Sequence, residues 1–232
     1  MIYITGDTHG KFSHIVSFCE TQHTAPSDTL IILGDAGINY YASKRDRKLK
    51  QTLAQLPVTL FCIHGNHEQR PHTIPSYQLE YWNGGQVYTE KEYPNILFAK
   101  DGEIFRLDGS ECIVIGGAYS VDKYYRLERG TAWWPDEQPS DETKAFVEEQ
   151  LAGRKNSIDI VLSHTCPLKY EPREVFLPFI DQSMVDKTTE QWLDRLEDRI
   201  TYKKWYCGHY HIQKCIDRIQ FLFESIDAFS AI

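Results

Sequence analysis

The residues of this chain that could do chemistry stand just after its apolar runs. Gly65-Asn66-His67-Glu68 follows Val58-Thr59-Leu60-Phe61-Cys62-Ile63. In the same way Asp7 and His9 follow Ile2-Tyr3-Ile4, and Asp35 follows Leu30-Ile31-Ile32-Leu33. His164 comes after Ile160-Val161-Leu162-Ser163, and His209 and His211 come after Lys204-Trp205-Tyr206-Cys207. Five of the nine histidines fall in these places. A lone Asp-x-His is more often a turn than a ligand pair; the convergence carries the argument. Carboxylates, imidazoles and one amide oxygen, with no thiolate, form a nitrogen and oxygen donor set. Such a set suits Mn, Fe, Zn, Co or Ni better than Ca and does not suggest an iron–sulfur cluster. It offers more ligands than one ion uses, so it reads as a site for two ions about 3.5–4 Å apart. Asp35, alone on its loop, can bridge by giving one oxygen to each. Two divalent ions outweigh the charges of Asp7 and Asp35, and the positive remainder suits a hydroxide and an anionic phosphate ester. His67 is then left as an acid that protonates a departing oxygen.

The elements that must position these residues follow from periodicity. A β-branched and aromatic run bounded by Pro57 and Gly65 reads as a buried strand. In open α/β sheets ligands bind outside the carboxyl ends of such strands. Between the first three runs the spacing predicts helices from about Phe12 to Cys19 and from Arg45 to Leu56. Strand and helix in alternation imply a parallel sheet with right-handed crossovers. Residues 69–94, rich in Pro, Tyr and Gly, read as an irregular excursion over the site. From about Asn95 the pattern becomes a meander through Ile96–Ala99, Glu103–Leu107 and Glu111–Gly117, with Asp108-Gly109 as a hairpin turn. Residues 119–139 and 166–187 form two further irregular stretches. Ser140 caps a helix reaching Leu151, an amphipathic helix spans about 189–200, and two short strands finish the chain.

At 232 residues the chain reads as a single domain, 1–232, with substrate-facing loops at about 69–94, 119–139 and 166–187. A net charge of −8 argues against a generic binder of nucleic acid or anionic membrane. The amino terminus lacks a basic segment followed by a long apolar one, and no apolar run approaches a membrane span. Cys19, Cys62, Cys112, Cys166, Cys207 and Cys215 form no CxxC pair and mostly lie in apolar runs, which fits reduced thiols in a cytoplasmic protein.

Asp7-x-His9-Gly10, Gly34-Asp35, Gly65-Asn66-His67-Glu68, His164 and Gly208-His209-x-His211 resemble the five signatures of the calcineurin-like metallophosphoesterases, in the family's order. The resemblance implies a four-layer α/β/β/α sandwich of two mixed β-sheets flanked by helices. It places Asp7, His9 and His211 on one metal ion, Asn66, His164 and His209 on the other, and Asp35 on both. The cofactors it implies are two divalent or trivalent transition-metal ions, manganese foremost, with Fe, Zn, Ni or Co as the others. The reaction expected is in-line attack of a metal-bridged hydroxide on a phosphomonoester, of a small molecule or a phosphoprotein, with His67 and Asp35 as catalytic residues. The protein-phosphatase branch continues its second motif with an Asp and an Arg. Ile38 and Asn39 stand there in this chain, so the roles of that pair are not carried over.

Two other functions compete with that expectation. One is a phosphodiesterase or nuclease, with nucleic acid entering only as substrate; no nucleic-acid module is appended. The other is a non-catalytic binding scaffold of the same fold, disfavoured by the complete ligand set with His67. Lys123, Arg126 and Tyr119 are candidates for holding phosphate or a substrate tail, and Glu68 reads as a support for its loop.

Overall fold

Alternate residues of each buried strand face different cores. In a computed structural model, which describes residues 1–230 and so leaves out the last two positions of the expected domain, Ile31, Leu33, Phe61 and Ile63 enter one core. Leu30, Ile32, Leu60 and Cys62, their neighbours in sequence, enter another. A two-residue side-chain period permits this only in a sheet covered on both faces.

The elements run, in chain order, β1 (Ile2–Thr5), α1 (Ser13–Gln22), β2 (Thr29–Ile32), α2 (Lys44–Leu53), β3 (Thr59–Cys62), β4 (Gln78–Trp82), β5 (Gly85–Glu90) and β6 (Tyr93–Ala99). They continue with β7 (Ile104–Leu107), β8 (Ser110–Ile115), α3 (Lys123–Arg129), α4 (Asp141–Ala152), β9 (Ile160–Ser163) and α5 (Thr188–Glu197). The last four are β10 (Lys204–Cys207), β11 (Lys214–Ile216), β12 (Ile219–Phe221) and β13 (Ile226–Ala228).

Seven strands form one mixed sheet in the order β13-β1-β2-β3-β6-β5-β4, and six form the other, β11-β12-β10-β9-β8-β7. Between the sheets lies a core drawing on both, with Ile4, Phe61 and Leu97 from one and Phe105, Val114 and Leu162 from the other. Ile15 and Cys19 of α1 and Leu53 of α2 pack on the outer face of the first sheet. Val147 and Leu151 of α4 and Trp192, Leu193 and Leu196 of α5 cover the second. The result is the four-layer α/β/β/α sandwich. At the predicted cap of α4, Ser140 Oγ accepts from Thr143 N at 3.2 Å, and Asp141 and Glu142 complement the helix dipole.

Three expectations change. Residues 69–94 are irregular only up to 77: beyond that β4 and β5 make a hairpin at the far edge of the first sheet, turned by Asn83 (φ 47°) and Gly84 (φ 93°). Two central residues in the left-handed region match the twist of the flanking strands. The meander after Asn95 is divided, because β6 runs parallel to β3 whereas β7 and β8 pair with each other in the second sheet. Three strands, not two, end the chain, and β13 returns to pair antiparallel with β1. Within residues 119–139 lies α3; residues 166–187 hold three single turns of 3₁₀ helix.

Candidate metal centre

β1, β2, β3, β9 and β10 deliver their following loops to one edge, where the seam between the sheets opens. Three bring residues from the first sheet and two from the second, so the site spans both. Its backbone is unusual: His9 and Asp35 have φ of 47°, His209 66° and His211 52°. Non-glycine residues in the left-handed region cost energy and persist where the surrounding structure over-determines them. Glycines make the close approach possible. A Cβ on Gly65 would lie 2.0 Å from Asp35 Oδ1, and one on Gly34 would lie 2.0 Å from His164 Nδ1.

Asp35 Oδ1 accepts from His67 N at 2.8 Å, and Asp7 Oδ1 accepts from His209 N at 2.9 Å. One carboxylate oxygen of each acid thereby fixes a neighbouring loop. Asp7 Oδ2, by contrast, is buried without a hydrogen bond, 3.2 Å from His211 Nε2. His9 Nε2 approaches His211 Nε2 to 2.8 Å. Ligand-type atoms come within 4.8 Å of one another in three sets: Asp7, His9 and His211; His9, Asp35 and His67; Asp7, Asp35 and His164.

The second half of the cluster is tighter. His164, fully buried, has Nδ1 2.8 Å from the carbonyl of Leu33, to which it donates, and this bond fixes the orientation of the ring. Nε2 lies 2.8 Å from Asn66 Oδ1, while Asn66 Nδ2 donates to Ser120 Oγ at 2.8 Å. His209 Nδ1 reaches the same Asn66 oxygen at 3.1 Å, and Asp35 Oδ1 lies 3.7 Å from His164 Nε2. Nitrogen and oxygen donor atoms thus converge on one point from separate loops. The donor set therefore fits a metal ion, with Leu33 and Ser120 orienting its ligands from behind.

Electrostatics agree. Burial would raise Asp35, but the neighbouring imidazoles of His164, His67 and His9 and the His67 N–H outweigh it and hold the group well below its ordinary value. Asp7 is lowered too: burial would raise it, but the adjacent rings of His211 and His164 outweigh that. Burial pushes His209 down to about 3, so its ring is neutral, as a metal ligand must be. Glu68 is the exception. Burial and the nearby charge of Asp35 push it up to about 8, and its two oxygens accept from Gly37 N and Gly65 N, both at 3.2 Å. It ties the loop of Asp35 to that of Asn66.

His67 faces a different set of partners. Arg126 Nη2 donates to its Nδ1 at 2.5 Å, and Asp122 Oδ1 lies 3.8 Å from its Nε2. Asp122 Oδ2 in turn accepts from Arg126 Nε at 2.7 Å. Ile38 is buried in the core and Asn39 binds the hydroxyl of Tyr77 at 3.0 Å, so the second-motif positions do not reach His67. An acid and a guanidinium come instead from α3 and the residue before it. Sequence reasoning named Arg126 without placing it and missed Asp122 and Ser120; a charged residue opening a short helix is too common a signal.

Two cavities of about 450 Å³ adjoin the cluster. One is lined by Tyr119, Val121, Phe176, Leu177, Ile180 and Tyr210 beside the ligands, drawing on residues 119–122 and 171–190 and on none from 69–94. Lys123 does not line it; its ammonium sits 4.5 Å from the ring centre of Trp133. The other cavity lies towards Tyr40, Tyr41, Arg45 and Arg126.

Fold and site together define a two-sheet sandwich with candidate metal-ligand groups at the carboxyl ends of strands from both sheets. The calcineurin-like phosphoesterase family matches residues 1–213, and the chain belongs to that family. Among solved structures, TT1561 of Thermus thermophilus is 13% identical with a TM-score of 0.50, over 96% of this chain and 87% of that one. A phosphopantetheinyl hydrolase from Mycobacterium tuberculosis is 14% identical with a TM-score of 0.45, over 96% and 87% of the two chains. No curated protein sequence matches the chain. Among the described residues no helix is long and apolar enough to cross a membrane.

Proposed function

We propose that this protein hydrolyses phosphate esters with two metal ions held by Asp7, His9, Asp35, Asn66, His164, His209 and His211. The observation that carries the reading is the convergence of ligand-type atoms of Asp7, His9, Asp35, His67, His164 and His211, in three sets each within 4.8 Å, where the loops of both sheets meet. Metal ions in this set would act as Lewis acids on the phosphoryl oxygens and would lower the pKa of water.

The remaining chemistry belongs to the chain. Asp35 can present one oxygen to each ion while its Oδ1 also accepts from the backbone of His67. With Arg126 donating to Nδ1, the single ring proton of His67 resides on Nε2, and that proton is the one available to a leaving oxygen. Asp122, near Nε2, and Arg126 fix the ring plane. Ser120 and the Leu33 carbonyl hold Asn66 and His164 in their ligating orientations. A phosphomonoester, the expectation from sequence, and a phosphodiester make the same demands on these residues; the space on either side of the cluster separates them.

The test is metal-stripped protein reconstituted with Mn and assayed on p-nitrophenyl phosphate and bis(p-nitrophenyl) phosphate. Two bound ions per chain and turnover that collapses in Asp35→Asn and falls in His67→Ala are expected. Protein that binds no metal would sink the proposal, and metal binding without turnover on any ester would turn it towards a scaffold.

A further inference from the structure

The ligand cluster lies between two cavities, not at the bottom of one. His9 and His67, whose ring centres are 5.5 Å apart, line both. A group bound between those rings therefore has open space in two directions. A phosphomonoester has one substituent and would fill one of them.

The walls differ in chemistry. On one side Val121, Phe176, Leu177 and Ile180 offer aliphatic and aromatic surface to the body of a leaving group, with Glu171, Asp186 and Lys187 also in the lining. The opposite wall is a connected assembly of rings and guanidinium groups. Arg45 lies 3.9 Å above the ring of Tyr41, and Tyr40 meets Tyr41 edge to face at 4.8 Å. Arg126 donates to the Tyr40 hydroxyl at 3.2 Å, so this wall is joined through Arg126 to His67. Buried Asp46 fixes the loop by accepting from Tyr41 N at 3.0 and 2.9 Å. Among the described residues Arg45 has no ion-pair partner, which leaves its outer face free. Stacked guanidinium and tyrosine faces hold planar aromatic groups.

From this geometry we infer that the substrate is a phosphodiester whose non-leaving arm is a planar aromatic group, received by the cavity of Tyr40, Tyr41 and Arg45. The inference rests on the phosphoesterase reading above. In the reaction, water adds to phosphorus, the bond to the leaving oxygen breaks, that oxygen takes a proton, and the arm in this cavity stays on the phosphomonoester product.

Two esters isolate the second arm: methyl p-nitrophenyl phosphate and bis(p-nitrophenyl) phosphate share charge and leaving group. The Mn-loaded protein is expected to favour the diaryl ester at least tenfold in kcat/KM, and Tyr41→Ala and Arg45→Ala to reduce that ratio at least fivefold. Both side chains are on the surface, so these variants should fold. A second readout avoids turnover. Calorimetric titration with diphenyl phosphate should give a Kd about tenfold weaker in either variant, with methyl phenyl phosphate shifted far less. Equal kcat/KM for the two esters, or a ratio and Kd unmoved by both variants, would overturn the inference while leaving the phosphoesterase reading intact. Failure to hydrolyse any ester would count against that reading instead, and the titration would still decide whether the second arm binds here.

Discussion

Gly34→Ala is a one-carbon change with a large expected effect. The new Cβ would stand 2.0 Å from His164 Nδ1 and 2.8 Å from Cε1, where ordinary contact is about 3.5 Å. The ring must retreat by roughly 1.5 Å, which breaks its 2.8 Å hydrogen bond to Leu33 and carries Nε2 away from Asn66 and Asp35. Alanine at φ 96° adds about 1–2 kcal/mol of backbone strain. Overpacking adds about 1–3 kcal/mol, so a stability loss of roughly 2–5 kcal/mol is expected. Removing a ligand's orienting partner typically costs 10–100-fold in metal affinity. A displacement of about 1 Å costs about 100-fold in rate. The assays are metal titration by calorimetry, urea unfolding and kcat/KM with Mn. Adding His164→Ala supplies a cycle: if the clash is the cause, the double variant regains stability but not metal affinity. Gly34→Ala protein that binds two metal ions with native affinity would refute the reasoning.

Burial raises Glu190 from 4.5 to about 7, so the folded protein binds this proton more tightly than the unfolded one. Its stabilising contribution is fully present below about pH 4.5 and is lost as pH rises to 7, on the order of 3 kcal/mol in all. Glu190→Gln should thus be more stable than the native protein at pH 8, with the gap closing by pH 4.5; urea midpoints across that range check the sign. Arg126→Lys keeps the charge but not the fork that meets His67, Asp122 and Tyr40, so kcat should fall about tenfold and not be rescued, as steady-state kinetics will show. Ser120→Ala frees Asn66 Nδ2 and should weaken metal binding by about 10–100-fold, read as faster inactivation by a chelator.

The positions of the candidate ligands at one sheet edge were legible because each follows an apolar run too hydrophobic for anything but a buried strand, and glycine marks most of the turns. What those runs could not say is which partner each strand takes. β6 and β7 follow each other in sequence and are both mostly buried, yet they belong to different sheets, since a buried apolar run specifies covered faces and not the neighbour. The hairpin of β4 and β5 was hidden for another reason. Leu79 and Tyr81 of β4 are 48% and 80% exposed, so no apolar face announced an edge strand, and Asn83-Gly84 was the only signal. In α3 only Arg126 is buried, leaving no helical stripe to read. The partners of His67 come from that unpatterned segment, which is why its chemistry was harder to foresee than that of the ligands.

β13 pairs with β1, and just beyond β1 the Gly6 amide donates to Phe223 O at 3.1 Å while Thr5 Oγ1 meets Phe223 O and Ser225 O at 3.0 and 2.7 Å. The strand that presents Asp7 and His9 is therefore clasped by residues made after His211. On a ribosome adding about 5–20 residues per second, those first ligands wait on the order of ten to several tens of seconds for their last partners. A nascent chain cannot assemble the paired site as it emerges, and fragments stopping short of Gly208 lack His209 and His211 altogether. Metal selection by the proposed centre would thus be deferred until residues beyond His211 have been made and β13 can pair with β1.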